Sequence, residues 1–221
     1  MDVTIFDLDN TLYAPEARLF SLIDVRINRY MTEVVRIEPE RVDGLRRLYW
    51  QRYGVTLGGL IRHHQVDPED YLEYVHDVDV ALCLRPDQRL RQSLESLSGV
   101  KVVFTNGSRD HADRVLQALD LADQFSEIFD IRVAEYCPKP YADPYHRVLA
   151  HLGADAECCA MIEDSAENLR TAKALGMRTV LVGPAGPAGQ ADYIDARVDR
   201  ADQVPEVVMG WRGLVGSVVD Q

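Results

Sequence analysis

No stretch of this sequence reaches the ~18 consecutive apolar residues that a membrane-spanning helix requires, so a membrane-helix protein is excluded. The opening residues, Met1 to Asp9, hold no basic segment followed by an apolar one. No secretory signal is read there, and a cytoplasmic protein is expected. Cysteine is scarce: Cys83, Cys137, Cys158 and Cys159 are the whole set. None forms a Cys-x-x-Cys pair, and adjacent Cys158 and Cys159 cannot close an ordinary bridge on each other. Reduced thiols are therefore expected, not a disulfide framework. The histidines and cysteines also lack the spacing of a zinc site. Repeats and low-complexity tracts are absent. Positive charge is in deficit, with 24 Lys and Arg against 36 Asp and Glu, a net −12 at pH 7. Such a surface repels polyanions at long range, so neither nucleic acid nor a membrane is an expected partner. Any anionic ligand needs a local cation.

What is present suits a globular protein: 47% of the residues are apolar and 27% charged. The length of 221 residues fits one large domain, or one domain carrying an insertion. It does not choose between monomer and homodimer. Val3-Thr4-Ile5-Phe6 is a β-branched and aromatic run that reads as a buried strand ending at Asp7. From about Ala17 to Asp79 the pattern turns helical. Leu19, Leu22, Ile23, Ile27, Tyr30, Met31 and Val34 recur at helical spacing, and Pro39, Gly54, Gly58, Gly59 and Pro68 punctuate the region. Strand-like and helical segments alternate after Pro86. Strands are predicted over 101–105, 128–131, 159–162 and 179–182, with a last edge strand within 191–198. Pro184 to Gly189 reads as a loop.

Alternating strands and helices predict an α/β fold, a doubly wound parallel sheet with helices on both faces. Here an all-helical insert follows the first strand. The expected division is a core of residues 1–15 and 83–221 with a helical unit over 16–82. Ligands of such sheets bind at the carboxyl ends of the strands. Those ends carry Asp7 and Asp9, then Thr105, Asn106 and Gly107, then Glu163 and Asp164. Lys139 precedes Pro140 on a loop. Carboxylates, a hydroxyl and an ammonium thus converge on one crevice.

That set suits phosphate monoester hydrolysis. A carboxylate nucleophile, Asp7, splits a very slow reaction into two easier steps. A hard divalent cation neutralises the charge between carboxylate and phosphate, and Asp7 with Asp164 are its expected ligands, Glu163 holding a metal-bound water. Thr105 and Lys139 are expected on the phosphoryl oxygens. Asp9 reaches the leaving-group side as general acid and base.

The run Asp7-Leu8-Asp9-Asn10-Thr11-Leu12 resembles the first motif of the haloacid dehalogenase superfamily. Thr105-Asn106 resembles the second, Lys139-Pro140 the third, and Glu163-Asp164 with Ser165 and Asn168 the fourth. The resemblance spans essentially the whole chain. It implies Mg²⁺ as cofactor, held by Asp7, Asp164, Glu163 and the backbone carbonyl of Asp9. It places Thr11, Asn106 and Gly107 near the phosphate and makes the helical insert a cap over the substrate. The second aspartate speaks against dehalogenation, because dehalogenases of that superfamily lack it and use no metal. Tyr13, the segment from Tyr53 to Leu60, Arg62-His63-His64 and Val75-His76-Asp77 resemble its pyrimidine 5′-nucleotidase branch. That implies a small phosphorylated metabolite, a nucleoside monophosphate of the UMP or CMP type, with Leu57, Gly58, His63 and His64 on the substrate side.

Simpler readings stand beside these. His63 and His64 fit a solvated helix face, and Tyr53, Tyr71 and Tyr74 at helical spacing fit a core. Ser165 reads equally as a helix N-cap and as part of a phosphate loop. Asn168 reads as a brace for the acidic loop. The rival functions are a sugar-phosphate phosphatase or phosphomutase, and a non-catalytic binding module.

Overall fold

The computed structural model describes residues 2–184 and 191–216. Strands β1 (Val3–Phe6), β2 (Val100–Phe104), β3 (Glu127–Phe129), β4 (Cys159–Glu163), β5 (Arg178–Val182) and β6 (Ala196–Val198) form one sheet. Its order is β3-β2-β1-β4-β5-β6, and every pairing is parallel. This is the doubly wound α/β fold expected. The first strand lies between β2 and β4, where the strand order reverses, so the switch-point crevice opens beside its carboxyl end.

Both faces of the sheet are buried, which explains the nearly unbroken apolar runs. Phe6, Val103, Ile162 and Val180 enter one cluster, and Ile5, Val102, Phe104, Met161 and Leu181 the other. The run read as a strand over 128–131 stops at Phe129. Asp130 ends it by accepting the Arg132 backbone N–H at 3.1 Å, which starts a 3₁₀ turn at Ile131.

Helices α1 (Leu19–Arg29), α2 (Pro39–Tyr53), α3 (Thr56–His64), α4 (Pro68–His76) and α5 (Val80–Cys83) fill the chain after β1, and α6 (Gln88–Ser96) leads into β2. They carry an apolar cluster of their own, built around Ile23, Ile27, Tyr49, Leu57, Leu60, Tyr71 and Val75. Leu19 and Val80, at either end of that segment, pack into the sheet cluster instead. Beyond β2 come α7 (Arg109–Ala118), α8 (Ala142–Leu152), α9 (Ala166–Ala174) and α10 (Val204–Gly216). No helix was expected after Val198, yet α10 forms there, with Val204 and Val208 one turn apart and buried. The predicted loop after Pro184 lies outside the described residues. Among those described, no helix is long and apolar enough to cross a membrane, and all four cysteines are free.

The glycines of the helical layer serve packing. A Cβ on Gly59 would stand 2.1 Å from Tyr49 Cγ, and one on Gly58 2.9 Å from Tyr53 Cβ. Both glycines therefore let α3 lie close on α2, so Gly58, expected on the substrate side, serves helix packing. We predict that Gly59→Ala costs ~1–3 kcal/mol in urea unfolding, because Tyr49 is buried and has nowhere to retreat. An unchanged midpoint would contradict this packing.

Candidate active site

Sheet register assembles the site. Phe6 pairs with Val103 and with Ile162, so the next residue, Asp7, stands level with Phe104 and Glu163. The ladder continues one step, with the Asp7 N–H donating to the Ile162 carbonyl at 2.9 Å. Asp7 is thereby fixed by backbone against β4.

Its side chain is fixed as well. Lys139 Nζ donates to Asp7 Oδ1 at 2.7 Å, to the Phe104 carbonyl at 2.7 Å and to Glu163 Oε1 at 3.0 Å. Thr11 Oγ1 donates to Asp7 Oδ2 at 3.0 Å. Lys139 is 1% exposed, and all three of its protons have protein acceptors. Burial disfavours the ammonium, but Asp7 and Glu163 outweigh that and hold it protonated. Asn106 sets the lysine's backbone, its Oδ1 accepting the Lys139 N–H at 2.8 Å and its Nδ2 donating to the Lys139 carbonyl at 3.1 Å. The α2–α3 turn also bears on this loop. Gly54, at φ +79°, ends α2, and a Cβ there would meet Pro138 Cγ at 3.0 Å and the Lys139 carbonyl at 3.2 Å.

Glu163 is fully engaged. Oε1 accepts from Lys139 and from Asn168 Nδ2, and Oε2 accepts the Ser165 N–H at 2.8 Å. Asn168 thus braces the acidic loop, as read from the sequence. The Ser165 side chain makes no capping bond on α9. Asp164 follows Glu163 and is exposed. Asp7, Glu163 and Asp164 each offer a carboxylate oxygen within 4.8 Å of the others. Burial and then Glu163 push the Asp7 carboxyl up to about 7. Although the residue is exposed, desolvation of its carboxyl in the cleft, then Glu163 and Asp7, push Asp164 up to about 9. Three clustered carboxylates facing one ammonium form an all-oxygen donor set with excess negative charge, which fits a hard divalent cation such as Mg²⁺.

The other predicted residues divide. Thr105 Oγ1 accepts the Gly107 N–H at 2.9 Å, leaving its own proton for another acceptor. Asp9 Oδ1 accepts from Tyr13 Oη at 2.5 Å and from His111 Nε2 at 2.8 Å. A cavity of about 560 Å³ opens over Asp7, Asp9, Thr105, Asn106, Gly107, Lys139, Glu163 and Asp164, and Leu57 also lines it. Thr11, Gly58, His63 and His64 are not in its wall. The Thr11 hydroxyl is spent on Asp7. His63 Nε2 lies 2.7 Å from Tyr53 Oη and His64 Nε2 2.9 Å from Tyr49 Oη, both histidines at the C-terminal end of α3.

Sequence reasoning passed over the opposite wall. Phe20, Ile23 and Ile27 line it from α1, and Asp43, Arg46, Arg47 and Trp50 from α2. The second set has the spacing i, i+3, i+4, i+7 of a single helix face, a signal that was available but not used. Arg46 is paired with Asp24 and Asn28. Trp50 is 53% exposed and Phe20 38%, so their rings are free to receive a ligand. His76 also lines the cavity, and burial with His111 beside it pushes its imidazole down to about 3, so the ring is neutral.

A family model described as haloacid dehalogenase-like hydrolase matches residues 1–176. Phosphate metabolism protein 8 of Saccharomyces cerevisiae is 30% identical over 198 residues, covering 81% of this chain and 60% of that protein. The chain therefore spans less than two thirds of that relative. L-2-haloacid dehalogenase from Xanthobacter autotrophicus matches with a TM-score of 0.64 at 18% identity, over 95% of this chain and 99% of that one. CbbY from Rhodobacter sphaeroides in complex with phosphate matches with a TM-score of 0.63 at 21% identity, over 92% and 96%. At these identities the two structures speak to the fold alone.

The raised carboxyls give a pH signature. In the unfolded chain Asp7 and Asp164 titrate near 3.8, and in the metal-free fold near about 7 and about 9. The folded state holds the extra protons between those values, so stability falls as pH rises through the window. We predict that the thermal midpoint in EDTA falls from pH 6 to pH 8, and that Asp7→Asn or added Mg²⁺ flattens the slope. A wild-type midpoint in EDTA that does not fall over this range contradicts the assignment.

Proposed function

This chain belongs to the haloacid dehalogenase-like hydrolase family, and we propose that it is a Mg²⁺-dependent phosphomonoesterase acting on pyrimidine nucleoside 5′-monophosphates. The observation that carries the chemistry is the state of Asp7. It is a buried carboxylate at the switch point of the sheet, held by Lys139 and Thr11, and open to a cavity beside two further carboxylates.

In this reading Asp7, Asp164 and the Asp9 carbonyl, with Glu163 behind them, would hold Mg²⁺, which would supply the positive charge that lets a phosphate group enter. Asp7 attacks phosphorus through a carboxylate oxygen, and the bond from phosphorus to the ester oxygen breaks. Burial raises the Asp9 carboxyl, but His111 and Tyr13 outweigh that and hold it below the usual carboxylate range, so Asp9 takes up a proton from the incoming phosphate monoester and gives it to the departing oxygen. Water then attacks the acyl phosphate and returns a proton to Asp9, and the bond from phosphorus to Asp7 breaks. Lys139 keeps the Asp7 carboxylate in one rotamer throughout. Asn106 acts at one remove, by fixing the backbone of Lys139. Thr105 donates its spare proton to a phosphoryl oxygen.

The substrate class rests on the far wall. A volume of about 560 Å³ lies in the range of small-ligand sites. Trp50 and Phe20 offer stacking faces for a planar base. Arg47 donates toward ring carbonyls, and Asp43 accepts from an amino group. These match the edge of a pyrimidine better than the hydroxyls of a sugar.

We predict that Asp7→Asn lowers turnover by about 10³-fold or more while the circular dichroism is unchanged. EDTA should abolish hydrolysis and Mg²⁺ restore it. Trp50→Ala should lower kcat/KM for UMP and CMP by roughly 10–100-fold, the worth of ~1–3 kcal/mol of base stacking, and spare ribose 5-phosphate. Wild-type protein that prefers a sugar phosphate over both nucleotides defeats the nucleotidase reading. Full activity in EDTA or in Asp7→Asn defeats the phosphatase mechanism itself.

A further inference from the structure

Asp9 is not held by the residues that hold Asp7. Both of its hydrogen bonds among the described residues fall on Oδ1, from Tyr13 Oη at 2.5 Å and His111 Nε2 at 2.8 Å. The two donors come from different elements, one from the turn after β1 and one from α7. Both are inaccessible, Tyr13 at 6% exposure and His111 at 0%. With Oδ1 pinned twice, the carboxyl cannot rotate, and Oδ2 is the oxygen left to the cavity.

The ring of His111 is fixed in its turn. It stacks on His76 with centroids 4.6 Å apart and planes at 14°. Ser108 Oγ accepts the His111 backbone N–H at 3.3 Å and lies 3.0 Å from His76 Nδ1. Its hydroxyl proton is therefore free to reach that nitrogen. His111 Nδ1 is buried without a partner among the described residues. Nε2 is therefore the ring nitrogen that presents its proton to a partner, and Asp9 accepts it. His76 ends α4, and its carbonyl accepts from Arg114 Nη2 on α7. The clamp on Asp9 therefore runs from the sheet side through His111 into the helical layer.

We propose that Tyr13 and His111 are positioning residues for the acid–base step, locking Asp9 so that Oδ2 alone faces the leaving group, with His76 bracing the His111 ring from the helical layer. The proposal rests on the phosphatase reading of Asp7 and Asp9. It extends that reading to residues that contact neither phosphate nor metal.

The test is leaving-group dependence in the Mg²⁺-loaded protein. kcat/KM reports steps up to the first irreversible one, the transfer to Asp7. An alkyl ester such as UMP needs its leaving oxygen protonated there. p-Nitrophenyl phosphate releases a stable phenolate and needs no acid. Asp9→Asn sets the reference. Tyr13→Phe keeps the ring and removes only the hydroxyl, and His111→Leu removes the donor. Each is expected to lower kcat/KM for UMP by about 10²-fold and for p-nitrophenyl phosphate by about threefold or less. His111→Gln, with an amide donor of similar reach, is expected to recover part of the loss on UMP. Where His111→Leu does not fold, Tyr13→Phe and His111→Gln decide. Equal losses on both esters, or none on either, overturn the positioning role. If Asp9→Asn shows the leaving-group signature and Tyr13→Phe does not, this inference alone fails. If Asp9→Asn lacks the signature, the acid–base reading of Asp9 fails with it.

Discussion

The site depends on one buried ammonium. Lys139 reaches into the floor of the sheet and joins β1, β2 and β4 through Asp7, the Phe104 carbonyl and Glu163. Removing a charge from water is costly, and a buried ion persists only where its partners are complete. Here all three lysine protons are used, while the clustered carboxylates Asp7, Glu163 and Asp164 carry more negative charge than this one ammonium balances. The imbalance keeps the carboxyls of Asp7 and Asp164 high without a cation. It also makes the cleft floor selective for a ligand that brings positive charge.

Around this floor the backbone does much of the positioning. Parallel pairing of β1 with both neighbours sets Asp7 level with Glu163 without any side-chain choice. The helical layer then touches the floor at two places. Gly54 sets the α2–α3 turn against the Lys139 loop, and His76 sets the end of α4 against His111. Both contacts join elements far apart in the chain. Both meet a residue that grips one of the two working aspartates.

Much of this was legible in the linear order of residues. Short β-branched runs followed by acids, a hydroxyl or Asn-Gly are readable because strands of this sheet are buried on both faces and end at the ligand crevice. The helical insert was readable from its period. Less legible were residues whose role comes from direction and not from type. Thr11 sits in the nucleophile motif, yet its hydroxyl turns inward to Asp7. His63 and His64 look chemically apt but bond to Tyr53 and Tyr49 of α2 and stay out of the cavity wall. His111 carried no motif at all, and only the stacking of α7 on the return from α4 brings it to Asp9.

The sequence by itself determined the parallel α/β sheet, the helical insert and the acids and lysine at the strand ends, because hydrophobic period and strand-end chemistry are local properties of the chain. Tertiary structure alone decided that both oxygens of Asp7 are held, while the two donors on Asp9 both fall on Oδ1. It also decided that α1 and α2 supply the far wall of the cavity. Those outcomes depend on the rotation of helices about their axes and on contacts between residues far apart in the chain, 132 positions for Asp7 and Lys139. No local pattern encodes such distances.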